Sequence, residues 1–234
     1  MRKPESSSTV RIIFMALLAA IFVVPAFAKE KKDAVKSVAD SVFTARYVFE
    51  HINSSSLEII PTELRLDMLD YWDVDSVYKA VNVLNGLSWI DKVTDNYMKV
   101  TVSNVSSVEI KILPAGKEKI AMTVYTVGDS TQSEDSQVEF YDMDLNKLDS
   151  NKHLEVPDLK DFFDIPKGAV TKMSEIREMV PFPTVAYSAS PDSDNLSARL
   201  TVEKYIDQDD WNIIKLFLKP SITLEWKKEK YKYK

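Results

Sequence analysis

The chain runs to 234 residues, with 30 lysines and arginines against 36 aspartates and glutamates, two histidines, no cysteine and a formal net charge of −6. So acidic a surface repels nucleic-acid phosphate and anionic lipid, which excludes a general polyanion binder. The absence of thiols excludes cysteine catalysis, thiolate metal sites, disulfides and lipid attachment at a cysteine.

The first twenty-eight residues read as a secretory leader. Arg2, Lys3 and Arg11 make a positive start, Ile12 to Val24 form an uncharged apolar run, and Ala26-Phe27-Ala28 is a small-x-small cleavage site. The run falls short of the ~20 apolar residues that a bilayer span needs. The mature chain is therefore expected to begin at Lys29, to work outside the cytoplasm and to carry no transmembrane segment after cleavage. Removing Arg2, Lys3, Arg11 and Glu5 leaves 27 bases against 35 acids, a net charge of −8. Residues 29–234 are expected to form one α+β domain, with the segment 144–183 as a possible internal boundary.

From Asp33, the positions Val35, Val38, Ala39, Val42 and Phe43 recur at helical spacing and predict a helix to about Phe49, which Asn53-Ser54-Ser55-Ser56 breaks. A second helix is predicted between Pro61 and Trp72, with Leu64, Met68 and Trp72 on one stripe and Thr62 as its cap. The period then changes to two. Val77 to Leu84 and Leu87 to Val93 flank Asn85-Gly86, a pair in which both residues accept positive φ, so a hairpin is predicted there. Tyr97 to Ser103 places Met98, Val100 and Val102 on one face. Val108, Ile110 and Ile112 alternate with Glu109 and Lys111, and both segments read as half-buried antiparallel strands.

After the Pro114-Ala115-Gly116 turn, Ile120 to Val127 is apolar on both faces and reads as a central strand. Gly128 to Ser136 is then a surface loop before a strand at Val138 to Tyr141. The stretch from Asp144 to Pro183, with four prolines, reads as an irregular covering layer with short helices near Asp158 to Phe163 and Thr171 to Val180. Strands at Thr184 to Ala189 and Leu196 to Val202 follow. Next come a helix capped by Asp207 that ends at Pro220, with Asp209 and Asp210 in its positive first turn, and a last strand at Ile222 to Trp226. Strands that come in runs predict an α+β fold: a mostly antiparallel sheet of about eight strands, with N-terminal helices and short helices packed on one face.

Candidate chemistry is sparse. His51 and His153 lie near no nucleophile elbow or zinc-binding helix motif and read as surface or capping residues. Asp142-Met143-Asp144-Leu145-Asn146 imitates the opening of a calcium loop. However, Lys147 stands where the turn glycine belongs and His153 where the bidentate glutamate belongs, so a turn is expected. Carboxylate pairs could serve a glycosidase, but the sequence does not say which acids face each other. No catalytic residue, metal or cofactor is nominated. The basic tail supplies the candidate binding residues Lys228, Lys230, Tyr231, Lys232 and Tyr233, whose charges and rings could contact phosphate, acidic glycan or headgroups. The competing reading is an edge strand whose lysines block edge-to-edge pairing.

The segment Leu57 to Trp72 with its Arg65-Leu66-Asp67-Met68-Leu69-Asp70 core, Leu87 to Lys99, Ser107-Val108-Glu109-Ile110-Lys111-Ile112-Leu113-Pro114, and Val124-Tyr125-Thr126-Val127 followed by Ser136 to Tyr141 together resemble a family of uncharacterised exported proteins of Bacteroidales. The resemblance covers nearly the whole mature chain. It implies a periplasmic or surface protein of a Gram-negative bacterium and carries over no functional residue. It also implies O-glycosylation at Asp-Ser/Thr followed by an apolar residue or Thr. Asp40-Ser41-Val42, Asp75-Ser76-Val77 and Asp129-Ser130-Thr131 match, and Ser130, in a predicted loop, is the preferred site. The expected function is a non-catalytic binding or interaction protein of the cell envelope. Its expected partner is an envelope protein or a glycan, not nucleic acid, and its oligomeric state is left open. The alternative is a carboxylate-dependent hydrolase acting on glycan or peptide.

Overall fold

Two antiparallel sheets carry the fold. The computed structural model describes residues 42–74, 78–129 and 131–233. The leader, the first turns of the helix predicted from Asp33, the matches at Ser41 and Ser76, and Ser130 lie outside the described residues. Two units are distinguished, Met1–Val42 and Phe43–Lys234, and every element named below belongs to the second.

Seven strands form a meander in chain order: β1 (Ala80–Val81), β2 (Leu87–Val93), β3 (Tyr97–Ser103), β4 (Ser106–Ala115), β5 (Glu118–Val127), β6 (Asp135–Tyr141) and β7 (Lys147–Leu148). A second sheet holds β8 (Val185–Ala189), β9 (Leu196–Leu200), β10 (Ile222–Lys227) and β11 (Lys230–Tyr233), side by side in the order 11-10-9-8. Five α-helices among the described residues complete the set: α1 (Ala45–His51), α2 (Thr62–Asp73), α3 (Ser150–His153), α4 (Met173–Met179) and α5 (Gln208–Ile214). The fold is α+β and antiparallel, as the runs of alternating residues predict, but its strands divide between two sheets. None of the described helices is long and apolar enough to cross a membrane.

The larger sheet is covered on both faces. Met98, Val100, Val102, Val108 and Ile110 pack against Val48, Phe49, Met68 and Leu69 of α1 and α2. Met122, Val124 and Phe140, on the opposite face, pack against Ala198, Leu200, Leu224 and Tyr231 of the smaller sheet. The segment 144–183 adds Leu154, Leu159, Phe162, Phe163, Ile176 and Val180 to this second core. The short helices therefore do not share one face with α1 and α2: Ile176 of α4 and Ile214 of α5 belong to the core between the sheets.

Local chemistry fixes α1 and α2. The Thr44 hydroxyl caps α1 by accepting from the Tyr47 N–H at 3.2 Å. At the other end, buried Arg65 of α2 donates to the carbonyls of Phe49 (2.6 Å) and Ile52 (2.9 Å), which satisfies acceptors that a helix C-terminus leaves open. Thr62 does not cap α2. Pro61 holds that position without a side-chain bond, and the Thr62 hydroxyl accepts from Arg65 instead, at 2.9 Å. Arg46 reaches both carboxylate oxygens of Asp73, at 2.6 and 2.7 Å, and ties the two helices together.

The predicted Asn-Gly hairpin exists in a different form. Strand β1 is only two residues long, and of the Asn85-Gly86 pair only Asn85 has positive φ. Buried Asn82 organises the loop: its Oδ1 accepts from the N–H groups of Leu84 and Gly86, each at 3.0 Å, and its Nδ2 donates to the Val102 carbonyl at 3.1 Å. An asparagine side chain that bonds its own loop backbone replaces the two-residue turn.

Strand β4 departs furthest from the alternation pattern. Glu109 and Lys111 are buried, not half-exposed, because the smaller sheet lies over them. The free edge of β8 offers alternate N–H groups, and side chains of the larger sheet accept them. Val185 donates to Asp135 Oδ1 at 3.1 Å, Tyr187 to Ser136 Oγ at 3.0 Å and Ala189 to Glu109 Oε2 at 2.6 Å. A strand edge that would otherwise be open is thus closed by side chains, not by another strand.

Candidate functional site

A cleft of about 580 Å³ opens where three stretches of chain converge: the β5–β6 loop, the end of β9 with the turn Val202–Lys204, and α5 with the approach to β10. Gly128 sets its first wall. With φ of 109°, a Cβ at Gly128 would lie 2.5 Å from the Ser133 carbonyl oxygen, so only glycine lets the loop fold back this closely. Asp129 Oδ1 accepts from the Thr131 hydroxyl (2.6 Å) and N–H (2.7 Å), and these bonds hold its pKa below the ordinary carboxylate value. Ser133 lines the cleft with a buried hydroxyl that has no hydrogen-bond partner.

The second wall carries Arg199, paired with Glu134, and Thr201, whose hydroxyl bonds the Glu134 carbonyl. The third comes from α5. Asp207 caps it by accepting from the Asp209 N–H at 2.8 Å, as its position in the sequence predicts, and Trp211 and Lys215 then face the cleft. The helix stops at Ile214, short of Pro220. Lys219 donates to the Asp161 carbonyl (2.9 Å) and the Tyr233 hydroxyl (3.0 Å). Four cations, Arg199, Lys204, Lys215 and Lys219, share the lining with three acids, Asp129, Glu134 and Glu203. The cleft is thus locally cationic in a chain of net charge −6.

The residues nominated from the basic tail do not form one surface. Tyr231 is fully buried, packed on Trp226 with ring centroids 4.9 Å apart, and its hydroxyl has no partner. Tyr233 is half-buried beneath Lys219. Lys228 and Glu229 make a turn in which both residues have positive φ, and it leads into strand β11, the edge strand of the competing reading. Lys230 and Lys232 lie on that strand at the edge of its sheet, where Leu154 pairs with Tyr231.

The remaining candidates resolve into structural contacts. His51 stacks on Tyr47 and donates from Nδ1 to the Tyr47 carbonyl at 2.9 Å. His153 donates to the Glu229 carbonyl at 2.8 Å and so braces the β10–β11 turn. Asp142 Oδ1 accepts from the N–H groups of Asp144 and Asn146, each at 2.9 Å, a turn geometry that uses this oxygen internally.

Sequence reasoning overlooked the buried charges. Burial alone would raise the pKa of Glu139, but bonds from Lys147 (2.6 Å) and the Tyr141 hydroxyl (2.5 Å) hold it below the ordinary value. Burial and this carboxylate push Tyr141 up to about 12. Lys111 has no such support. Its Nζ makes no hydrogen bond and lies 3.8 Å from Asp194, and burial lowers its pKa. Nothing in local spacing could have marked the cleft, whose lining comes from three separated stretches. The cap at Asp207 was the one local signal near it.

A family model described as "Protein of unknown function (DUF3256)" matches residues 35–231. The chain belongs to the DUF3256 family. The match takes in every residue that lines the cleft. A solved structure of a domain of an uncharacterized protein from Porphyromonas gingivalis W83 is similar, with a TM-score of 0.67 and 21% identity over 81% of this chain and 96% of that one. This likeness shows that the two share a fold. No curated protein matches the chain.

Proposed function

We propose that this DUF3256 chain is a non-catalytic binding protein of the cell envelope of a Gram-negative bacterium, exported by its leader, and that the cleft takes an acidic glycan. One observation carries the reading: the cleft combines Trp211 with an excess of cations and a buried, unpartnered hydroxyl on Ser133. A sugar ring lays its apolar face on an indole and turns its hydroxyls to polar side chains, while a carboxylate on the glycan meets the cations. A buried polar atom without a partner, such as Ser133 Oγ, is the kind of group that a ligand or an ordered water satisfies. Lys204, which has no hydrogen bond or ion pair among the described residues, supplies a cation free to meet the ligand.

The hydrolase reading needs two facing carboxylates, one with a raised pKa. Among the described carboxylates whose pKa departs from the ordinary value, Asp73, Asp129, Glu139 and Asp158, every shift is downward. Glu134 in the cleft is paired with Arg199. Both facts favour binding over hydrolysis.

Titration of the purified protein with soluble peptidoglycan fragments, followed by tryptophan fluorescence, tests the reading. Saturable binding that weakens ~10-fold or more in Trp211→Ala is expected, since removing a central aromatic anchor costs more than ~1 kcal/mol. Unchanged affinity in that variant, or release of new reducing ends by the wild type, would overturn it. Intact mass of the protein recovered from the envelope fraction tests export: a chain beginning at Lys29 is expected, and an uncleaved chain in the cytoplasm contradicts it.

A further inference from the structure

A second surface, made by α2 and the β1–β2 hairpin, is built differently from the cleft. At the end of α2, Tyr71, Trp72 and Val74 are exposed, Val74 at 70%. On the hairpin, Val81, Val83, Leu84 and Leu87 are exposed, Leu84 at 72%. Val81 and Leu87 sit opposite each other across the hairpin. The two elements are tied together: the Val83 N–H donates to the Ile59 carbonyl at 3.2 Å, just before α2, and the Tyr71 ring stacks on Tyr78 with centroids 4.1 Å apart. An apolar patch of this kind marks an interaction site.

Charge selects the occupant. Between residues 43 and 93 the sequence holds eight acids and four bases. Three of the bases are committed internally: Arg46 to Asp73, buried Arg65 to the carbonyls that end α1, and Lys79 over the Trp89 ring at 4.6 Å; the fourth, Lys92, is exposed near the end of β2. Asp67 and Asp70 remain exposed on α2 beside the patch. Pairing of two such patches in a symmetric dimer would bring acid against acid, and an anionic membrane would be repelled. The chain's own basic hairpin could not fill the patch either, because Tyr231 lies in the core and Trp226 and Tyr233 are half-buried against it. We propose that this patch docks a basic, amphipathic segment of a different protein, with apolar side chains over Val83 and Leu84 and cations toward Asp67 and Asp70.

The test is fluorescence anisotropy with a labelled peptide of about 14 residues, some four helical turns, made of leucine and lysine placed so that one face is apolar. Saturable binding is expected. Val83→Ser with Leu84→Ser should weaken it ~10-fold, the loss of a docking anchor. Asp67→Asn with Asp70→Asn should weaken it less and flatten its dependence on salt. Trp211→Ala, in the cleft, should leave it unchanged, so failure here and failure of the glycan reading are distinguishable. The exposed positions chosen leave the core intact, and an unchanged melting temperature confirms that. Four results would each overturn the proposal. The first is peptide affinity in the Val83/Leu84 variant equal to wild type, and the second is equal binding of an all-lysine peptide. The third is a wild-type dimer in sedimentation that this variant abolishes, and the fourth is binding of the protein to phosphatidylethanolamine vesicles lost in the same variant.

Discussion

The carboxylates buried on the two faces of the seven-stranded sheet and the ammonium of Lys111 buried among them fare differently. Toward α1 and α2, Glu139 receives Lys147, Tyr141 and Gln137. Toward the smaller sheet, Glu109 accepts from the Ala189 N–H and the Ser188 hydroxyl, with Lys99 3.5 Å away, while Lys111, two residues on and on the same face, has no hydrogen bond. The sign of the charge explains the difference. The uncovered edge of β8 presents N–H donors, which a carboxylate can accept and an ammonium cannot. A charge buried in this sheet is therefore tolerated only where a complementary partner lies within reach, from β6 and β7 for Glu139 and from the edge of β8 for Glu109, and Lys111 is a cost that the fold carries.

Variants can break this contrast. Glu109→Ala should have the largest effect, about 3–5 kcal/mol of lost stability, because it leaves a strand-edge N–H buried without an acceptor and removes the counter-charge of Lys99. Urea unfolding of the variant measures it, and Glu109→Gln should recover part of the loss. Arg65→Ala extends the comparison to the helical side. Two carbonyls at the end of α1 lose a charged donor, so about 2–3 kcal/mol should be lost by the same measurement.

Lys111→Met should act in the opposite direction and stabilise the protein by about 1–2 kcal/mol, since an apolar chain of similar length replaces a buried ammonium that has no hydrogen bond and only a 3.8 Å ion pair with half-exposed Asp194. The pH dependence carries a sign. Lys111 holds its proton less tightly when folded than when unfolded, so between its lowered folded value and the ordinary 10.5 the unfolded chain binds more protons. Wild-type stability should therefore gain a rising contribution across that window, and Lys111→Met should remove it. Tyr231→Phe should have the smallest effect, within about 0.5 kcal/mol, because the hydroxyl it deletes has no partner. A large loss of stability in that variant would mean that an ordered water satisfies the Tyr231 hydroxyl.

Much of the architecture was legible in the sequence, for physical reasons that also mark where legibility ended. Met98, Val100 and Val102 face one core because strand side chains alternate, and Asp207 caps α5 because its carboxylate reaches a free N–H. Alternation at Glu109 and Lys111 misled, since a polar side of a strand reads as wet unless a second sheet is known to cover it. The edge-strand reading of the tail holds for β11, but its turn was not legible, because Lys228 and Glu229 take positive φ with neither glycine nor asparagine to announce it. The strand puts Tyr231 of the proposed binding tail in the core and leaves Tyr233 half-buried. The cleft was invisible because Ser133, Arg199 and Trp211 meet only after both sheets have formed.

The most direct measurement is an NMR titration of the isotopically labelled protein with soluble peptidoglycan fragments, read as backbone amide shifts. If the cleft is a glycan-binding site, the shifts should cluster at residues 132–134, 199–204 and 211–220 and saturate together. Shifts confined to the exposed lysines of β11, or no shifts at ligand excess, would contradict it.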